Sequence, residues 1–212
     1  MQVSRLSRRR FMATSGVVGV CTFGCSGASQ EEFVSIFNGK DLSGWEGDQT
    51  LWVVEEGMLI GRSPGLQHNN FLATKKTYRN FILRFKIHLV NNDGNSGVQI
   101  RSERKKGSTE MIGYQADVGP TWWGSLYDES RRGVVLAQAT PELIDRTLRL
   151  DAWNDYEVYA NEEHIRLSIN GETTADYHEQ DDSIARVGVI ATQIHSGPPL
   201  EVRFRNIRIR EL

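Results

Sequence analysis

The sequence has little cysteine, and both of its cysteines, Cys21 and Cys25, lie close to the N-terminus. Because none follows, residues 26–212 cannot form a disulfide or a thiolate metal site. The chain also lacks a glycine-rich phosphate loop, a dinucleotide-binding fingerprint and a serine in a nucleophile-elbow pattern. Its five histidines are scattered, without two at the sequence spacing of metal ligands. The sequence therefore indicates no cofactor, although a divalent cation held by Asp117, Glu129 and His195 remains an alternative.

Acidic residues outnumber basic ones outside the N-terminus. The first 30 residues hold four arginines and no acidic residue, so the rest of the chain has 21 of the 25 basic side chains against all 27 acidic ones. This mildly acidic body disfavours nucleic acid as a partner. A hydrophobic content of 39% is ordinary for a soluble globular protein, and the length suits one large all-β domain or two small ones.

Residues 1–30 are expected to form an export signal. The segment from Ser7 to Met12 matches the twin-arginine pattern, and the uncharged stretch that follows is too short and too rich in glycine and serine to span a bilayer stably. Gly24 before Cys25 fits a lipoprotein cleavage site, whereas the two residues before it fit poorly. The alternatives are a lipid anchor on Cys25 and ordinary cleavage nearby, with the product periplasmic or attached to the membrane.

Residues 31–212 read as one all-β domain. The clearest strand is Phe81 to Val90, in which every second residue is apolar. Asn170-Gly171 is typical of a hairpin turn, Thr140-Pro141 of a helix start, and a switch of apolar parity near Asn206 indicates a β-bulge. About a dozen short strands of this kind favour two packed sheets.

Three predicted strands each carry two polar residues at alternate positions. They are Gln99 with Arg101, Gln115 with Asp117, and Gln193 with His195. Residues two apart project from the same face of a strand, so neighbouring strands would line one concave sheet face with all six groups. The alternative is an ordinary solvent-exposed face.

The segment from Gly113 to Gly133 is unusually dense in aromatic and charged residues. Trp122, Trp123 and Tyr127 offer surfaces on which a sugar could stack, although a packed loop anchor explains one tryptophan equally well. The segment also supplies the best-placed acids, Asp117, Asp128 and Glu129. A common glycosidase mechanism needs two carboxyl groups roughly 5 to 10 Å apart.

Four motifs resemble the 3-keto-disaccharide hydrolase domain, with a match from about Phe33 to Leu212. They are Phe37-Asn38-Gly39-Lys40-Asp41-Leu42-Ser43-Gly44-Trp45, Gly94-Asn95-Ser96-Gly97-Val98-Gln99-Ile100-Arg101, Gly113-Tyr114-Gln115-Ala116-Asp117, and Phe204-Arg205-Asn206-Ile207-Arg208-Ile209. The resemblance implies a concanavalin A-like jelly-roll sandwich that hydrolyses disaccharides oxidised at C3. Many members have Gly-Tyr-Glu-x-Gln where this chain has Gln115 and Asp117, which makes Asp117 and Glu129 the candidate replacement acids.

The chemistry of a 3-keto sugar suggests β-elimination followed by addition of water. Such a site needs a base, a donor for the enolate oxygen and an acid for the leaving group. His195 or Asp117 is the candidate base, Arg101 with Gln115 the candidate donors, and Glu129 or Tyr127 the candidate acid. The candidate substrate-binding residues are Gln99, Gln115, Trp122, Trp123, Tyr127, Arg131 and Gln193.

Two alternatives to this mechanism stay open. One is direct hydrolysis by a carboxylate pair. The other is a non-catalytic, lectin-like carbohydrate-binding module, since the same sandwich fold hosts both activities. In either case the partner is a small carbohydrate, and the sequence implies no protein partner.

The leader generates the first prediction. Replacing Arg8 and Arg9 with lysine should trap the precursor in the cytoplasm, because the paired arginines are the recognition signal of the folded-protein route. Cell fractionation and immunoblotting measure this. Unchanged export of the variant would remove the basis for the expected location.

Overall fold

The computed structural model describes Met1 and residues 32–212, and residues 32–212 lie in one compact unit. The predicted twin-arginine signal and Cys25 lie outside the described residues. Within the described part, no helix is long and apolar enough to cross a membrane.

The chain folds into two sheets of antiparallel strands. The strands are β1 (Val34–Ser35), β2 (Trp45–Glu46), β3 (Trp52–Glu55), β4 (Met58–Ser63), β5 (Asn70–Tyr78), β6 (Phe81–Leu89), β7 (Ser96–Arg104), β8 (Met111–Val118), β9 (Leu126–Glu129), β10 (Val135–Ala137), β11 (Asn154–Asn161), β12 (His164–Ile169), β13 (Glu172–His178), β14 (Gly188–Ile194) and β15 (Leu200–Glu211). One sheet has the order β13-β12-β11-β6-β15-β4-β3, with β1 paired to β15. The other has the order β10-β9-β8-β7-β14-β5-β2.

The core lies between the two sheets. Apolar residues at alternate positions of β6 and β11 point into it, and the rings of Phe85 and Tyr156 stack there with centroids 5.1 Å apart. The facing strands β7 and β8 contribute Val98, Ile100 and Ala116. Period-two alternation in the sequence therefore correctly predicted the core-facing residues of β6, and the all-β sandwich is confirmed.

Several local predictions are also confirmed. The helix α1 (Pro141–Thr147) has Thr140 as its N-cap, whose side chain accepts a hydrogen bond from the Leu143 backbone N–H. The Asn170-Gly171 turn joins β12 to β13. The pairing of β15 shifts register between Arg205 and Arg208, with Asn206 at a φ of 54°, which is the bulge that the parity switch indicated.

A second bulge corrects the sequence prediction for β7. Its pairing with β8 shifts between Ile100 and Glu103, and Arg101 has a φ of 48°. The prediction that Gln99 and Arg101 share one face is therefore wrong. Strand β14 also ends at Ile194, one residue before His195, so His195 leaves the sheet at the start of a loop.

The turned Arg101 side chain ties together loops from both sheets. Its guanidinium donates hydrogen bonds to the Arg79 carbonyl (2.7 Å), the Glu162 carbonyl (2.6 Å) and Asn80 Oδ1 (3.0 Å). Burial lowers the pKa of Arg101 to about 10, which leaves the group charged at neutral pH. This arginine is a structural clamp between the β5–β6 and β11–β12 turns.

Arg101→Met should therefore destabilise the protein. The substitution removes three hydrogen bonds from a charged donor to partly buried acceptors, at a cost of about 1–3 kcal/mol in the free energy of unfolding. Urea unfolding measures the loss. Arg149→Met is the matched control, because the Arg149 side chain is 59% exposed and should change stability by no more than about 0.5 kcal/mol. Equal stability of the two variants would contradict the clamp.

Candidate active site

A cavity of about 310 Å³ opens on the side of β8 and β9 that faces away from the core. Its lining residues are Asn69, Asn95, Gln115, Asp117, Trp122, Tyr127, Glu129 and His195. Six of them were candidates from the sequence. The lining comes from the strands β8 and β9 and the loop between them, from the loop after β14, and from the loops before β5 and β7.

The floor of the cavity is a buried network of amide side chains. Gln115 Nε2 donates to Asp117 Oδ1 (2.7 Å) and to Gln193 Oε1 (3.3 Å), and Gln115 Oε1 accepts from Gln99 Nε2 (2.8 Å). Gln99 and Gln193 are fully buried, so they lie behind the cavity and support Gln115. They were predicted as substrate-binding residues, but in the structure neither lines the cavity.

Gly97 makes space for this arrangement. It pairs with Asp117 across β7 and β8, and a Cβ atom at Gly97 would lie 2.8 Å from Cγ of Gln115 and 3.0 Å from the Ala116 carbonyl oxygen. The missing side chain therefore lets Gln115 lie flat against β7, where it reaches both neighbours.

Asp117 is almost completely buried, with 4% of its surface exposed. Burial raises the pKa of Asp117 to about 8; the hydrogen bond from Gln115 opposes this increase, and the charge of Glu129 adds to it. At neutral pH the carboxyl group is consequently protonated in most molecules. It can then donate a proton, which an ordinary aspartate cannot do at this pH.

Alternation along β9 separates the remaining acids. Tyr127 and Glu129 face the cavity, whereas Asp128 between them points to the opposite side and is fully buried. Burial and the charge of Glu110 raise the pKa of Glu129. Burial, followed by the charges of Glu129 and Asp117, raises the pKa of Tyr127, which keeps its hydroxyl group neutral.

Asp128 holds the turn after β9 in place. Arg131 Nε donates to Asp128 Oδ1 at 2.8 Å, and Arg132 forms an ion pair with the same carboxylate. Arg132 also binds Glu179 at 2.6 Å, while the Arg131 guanidinium lies over the ring of Tyr114. Arg131, predicted to bind substrate, is therefore engaged behind the cavity and does not line it.

His195 is oriented by the loop that follows β14. Its Nδ1 lies 2.6 Å from the Ser196 carbonyl oxygen. A carbonyl can only accept, so Nδ1 carries the hydrogen and Nε2 is the nitrogen that can take up a proton. The Ser196 backbone N–H donates to Asn69 Oδ1 (2.8 Å), and the Asn69 side chain in turn donates to Glu110 (3.3 Å).

The two tryptophans have different roles. Trp123 is buried, and its Nε1 donates to Asn92 Oδ1 at 2.7 Å, which makes it the packed loop anchor that the sequence allowed. Trp122 is 42% exposed and lines the cavity. Of this pair, only Trp122 presents an indole surface to a ligand.

Two asparagines of the site, Asn69 and Asn95, were missed as candidates. Asn95 lies within one of the motifs that carried the family resemblance, and this was the only signal available for it. Within the described residues, its buried Oδ1 has no hydrogen-bond partner. Asn69 lies in a polar loop whose contact with Ser196 depends on the pairing of distant segments.

A larger groove of about 400 Å³ lies on the outer face of the other sheet. Its lining includes the surface ion pairs Arg84–Glu157 (2.7 Å) and Lys86–Asp155 (2.5 Å). Exposed paired charges are ordinary on a sheet surface. The smaller cavity is the better candidate because it combines one buried and one half-buried carboxyl group, both of raised pKa, with a histidine.

A family model described as the 3-keto-alpha-glucoside-1,2-lyase-like domain matches residues 32–210. This match agrees with the four motifs in the sequence and covers most of the chain. No functionally curated protein gave a significant sequence match. Membership of such a family supports a carbohydrate-active role.

Solved structures with similar folds are distant in sequence. A protein of Parabacteroides distasonis, provisionally described as a glycosyl hydrolase, has a TM-score of 0.63 at 21% identity, over 85% of this chain and 94% of that one. A carbohydrate-binding module from Bacillus subtilis has a TM-score of 0.58 at 15% identity, over 79% and 96%. A Bacillus subtilis protein with a galectin-like fold has a TM-score of 0.60 at 10% identity, over 85% and 94%. These likenesses concern the fold, which is the expected concanavalin A-like jelly roll.

The pKa of Asp117 leads to a stability prediction. A folded pKa of about 8 exceeds the ordinary value of about 3.9, so the native state binds this proton more tightly than the unfolded state. Stability should therefore fall as pH rises between these values, by about 1.4 kcal/mol for each pKa unit of difference.

Asp117→Asn should lose less stability than the parent between pH 5 and pH 9, because the asparagine has no proton to release. Urea unfolding at several pH values measures the difference. Asp145→Asn, at an exposed position of α1, should follow the parent curve. Parallel curves for the parent and Asp117→Asn would show that the buried carboxyl group does not titrate in this range.

Proposed function

We infer that the chain, which belongs to the 3-keto-alpha-glucoside-1,2-lyase-like family, cleaves the glycosidic bond of disaccharides oxidised at C3. The observation that carries this proposal is the joint presence of Asp117, Glu129 and His195 around one cavity, with both carboxyl groups shifted to a higher pKa. Export through the twin-arginine route, also a proposal, would let the enzyme act outside the cytoplasm.

The first half of the proposed reaction is an elimination. The C3 carbonyl acidifies the C2 proton, and His195 Nε2 takes that proton. The resulting enolate re-forms the ketone as the C1–O bond breaks, and the protonated Asp117 gives its proton to the departing oxygen. The products are an alcohol and a sugar with a C1=C2 double bond conjugated to the ketone.

The second half adds water across that double bond. The Asp117 carboxylate takes a proton from a water molecule, whose oxygen bonds to C1. The imidazolium proton of His195 exchanges with solvent at the open cavity, and His195 then donates a solvent-derived proton to C2, so both side chains regain their initial protonation states. The net result is hydrolysis, with each group serving once as acid and once as base.

The structure supports different oxyanion donors from those that the sequence suggested. Both N–H groups of Gln115 are used within the amide network, and Arg101 binds loop carbonyls elsewhere. The neutral hydroxyl of Tyr127, which lines the cavity, is the better candidate to stabilise the enolate oxygen. Gln115 is then a positioning residue for Asp117.

Recognition of a sugar can use Trp122 and Asn95. An exposed indole at the cavity offers a flat apolar surface for a sugar ring. The buried Oδ1 of Asn95, without a partner among the described residues, would accept a hydrogen bond from a sugar hydroxyl. These same features also favour the second candidate function, a carbohydrate-binding module without catalysis.

A labelling experiment separates the mechanisms. The purified protein is incubated in D₂O with a 3-keto-disaccharide or with its unoxidised parent, and the released sugars are analysed by NMR and mass spectrometry. Elimination and hydration should act on the oxidised substrate and place one deuterium at C2 of the released keto sugar. Direct hydrolysis would leave C2 unlabelled, once exchange without enzyme is subtracted. Binding without turnover would favour the module.

Asp117→Asn and His195→Ala should each slow turnover by at least about a hundredfold, because each removes a proton-transfer group. His88→Ala is the matched histidine control, since His88 lies on the other sheet. Activity should also fall as pH rises through about 8, where Asp117 loses its proton. In Glu129→Gln this decline should begin at lower pH, because the charge of Glu129 raises the pKa of Asp117. Full activity of both proton-transfer variants would refute the assigned roles.

A further inference from the structure

Two histidines that are far apart in the sequence come together at the edge of the larger sheet. His164 on β12 and His178 on β13 are direct cross-strand partners, and their rings lie nearly parallel with centroids 4.1 Å apart. Asp176 occupies the alternate position before His178 and therefore projects from the same face. Its Oδ1 lies 2.8 Å from His164 Nε2.

These three side chains have the donor set of a transition-metal site. One ligand atom from each lies within 4.8 Å of the others. Ligands of a tetrahedral zinc ion lie roughly 3.3 Å apart, given bond lengths of about 2.0–2.2 Å. The side chains must move closer together to reach this spacing, and solvent can supply the fourth ligand because Asp176 and His178 are exposed.

We propose that His164, Asp176 and His178 form a binding site for a divalent transition ion, with Zn²⁺ as the best fit. Two imidazoles and one carboxylate suit zinc, and calcium and magnesium prefer oxygen ligands throughout. The neighbouring side chain of Arg166 does not occupy the site, because its guanidinium lies over the ring of Tyr159, with Cζ 5.4 Å from the ring centroid.

The bound ion would join the edge strand β13 to β12. β13 is the last strand of its sheet and is followed directly by Glu179, whose carboxylate accepts from the Tyr114 hydroxyl (2.5 Å) and from Arg132 (2.6 Å). The ion would therefore hold the strand that leads to this contact between the sheets. Binding only to the native state stabilises a protein in proportion to the logarithm of free ligand concentration.

The test uses the full chain with Cys21 and Cys25 replaced by serine, since free thiols also bind zinc. After chelation and dialysis, ZnCl₂ is titrated by calorimetry at neutral pH, and melting is recorded with and without zinc. The parent should bind one equivalent and melt at a higher temperature in zinc. His164→Gln and His178→Gln should bind at least about tenfold more weakly, as lost metal contacts do.

His88→Gln is the matched control. His88 Nε2 lies 2.8 Å from Asp151 Oδ1, the same distance as between His164 Nε2 and Asp176 Oδ1, but this pair includes no second histidine. It should keep the parent affinity, as should His195→Gln in the candidate active site. Asp176→Asn should also weaken zinc binding. Because Asp176 is exposed, this variant should fold and can replace a histidine variant that does not.

The proposal is overturned if the parent shows no saturable zinc binding, or if the His164, Asp176 and His178 variants bind as the parent does. Loss of binding in His195→Gln alone would also overturn it, because the ion would then belong to the other cavity. These readouts do not depend on sugar turnover, so the outcome is separate from that of the proposed reaction.

Discussion

The candidate site depends on the side-chain amide of Gln115. Its two N–H groups and its carbonyl are all bound, to Asp117, Gln193 and Gln99 respectively. In a buried setting an amide with every group engaged has one favoured orientation, because any rotation exposes an unpaired donor or acceptor. The position of Asp117 follows from that orientation, and the glycine at position 97 makes the orientation sterically accessible.

The site also shows how environment divides similar carboxyl groups among different roles. Asp117, Asp128 and Glu129 lie within one short segment, and from the sequence Asp117 and Glu129 were the candidate catalytic acids. The pleat turns Asp128 toward Arg131 and Arg132, while Asp117 and Glu129 face the cavity. Asp128 is held in ion pairs and maintains the turn, whereas burial raises the pKa of Asp117 and Glu129 and favours their protonated forms.

Much of the fold could be predicted because its signals are local. Period-two alternation identified the inward face of β6, and the parity switch located the bulge at Asn206. The bulge at Arg101 gave no such signal, since an arginine is an uncommon residue at positive φ and the apolar pattern before it is regular. The pairing of His164 with His178 was also hidden, because sequence spacing does not give the register between strands. The same limit concealed the burial of Gln99 and Gln193 behind Gln115.

The loop between β8 and β9 is bound at both of its ends. The Asp117 backbone donates to the Ser125 carbonyl and accepts from the Gly124 N–H, and Trp123 is fixed in the core. Trp122 is thus carried by a segment whose backbone is already ordered before any ligand arrives. A sugar ring that stacks on it would not have to offset the conformational entropy of loop ordering, so even a small contact area could contribute usefully to affinity.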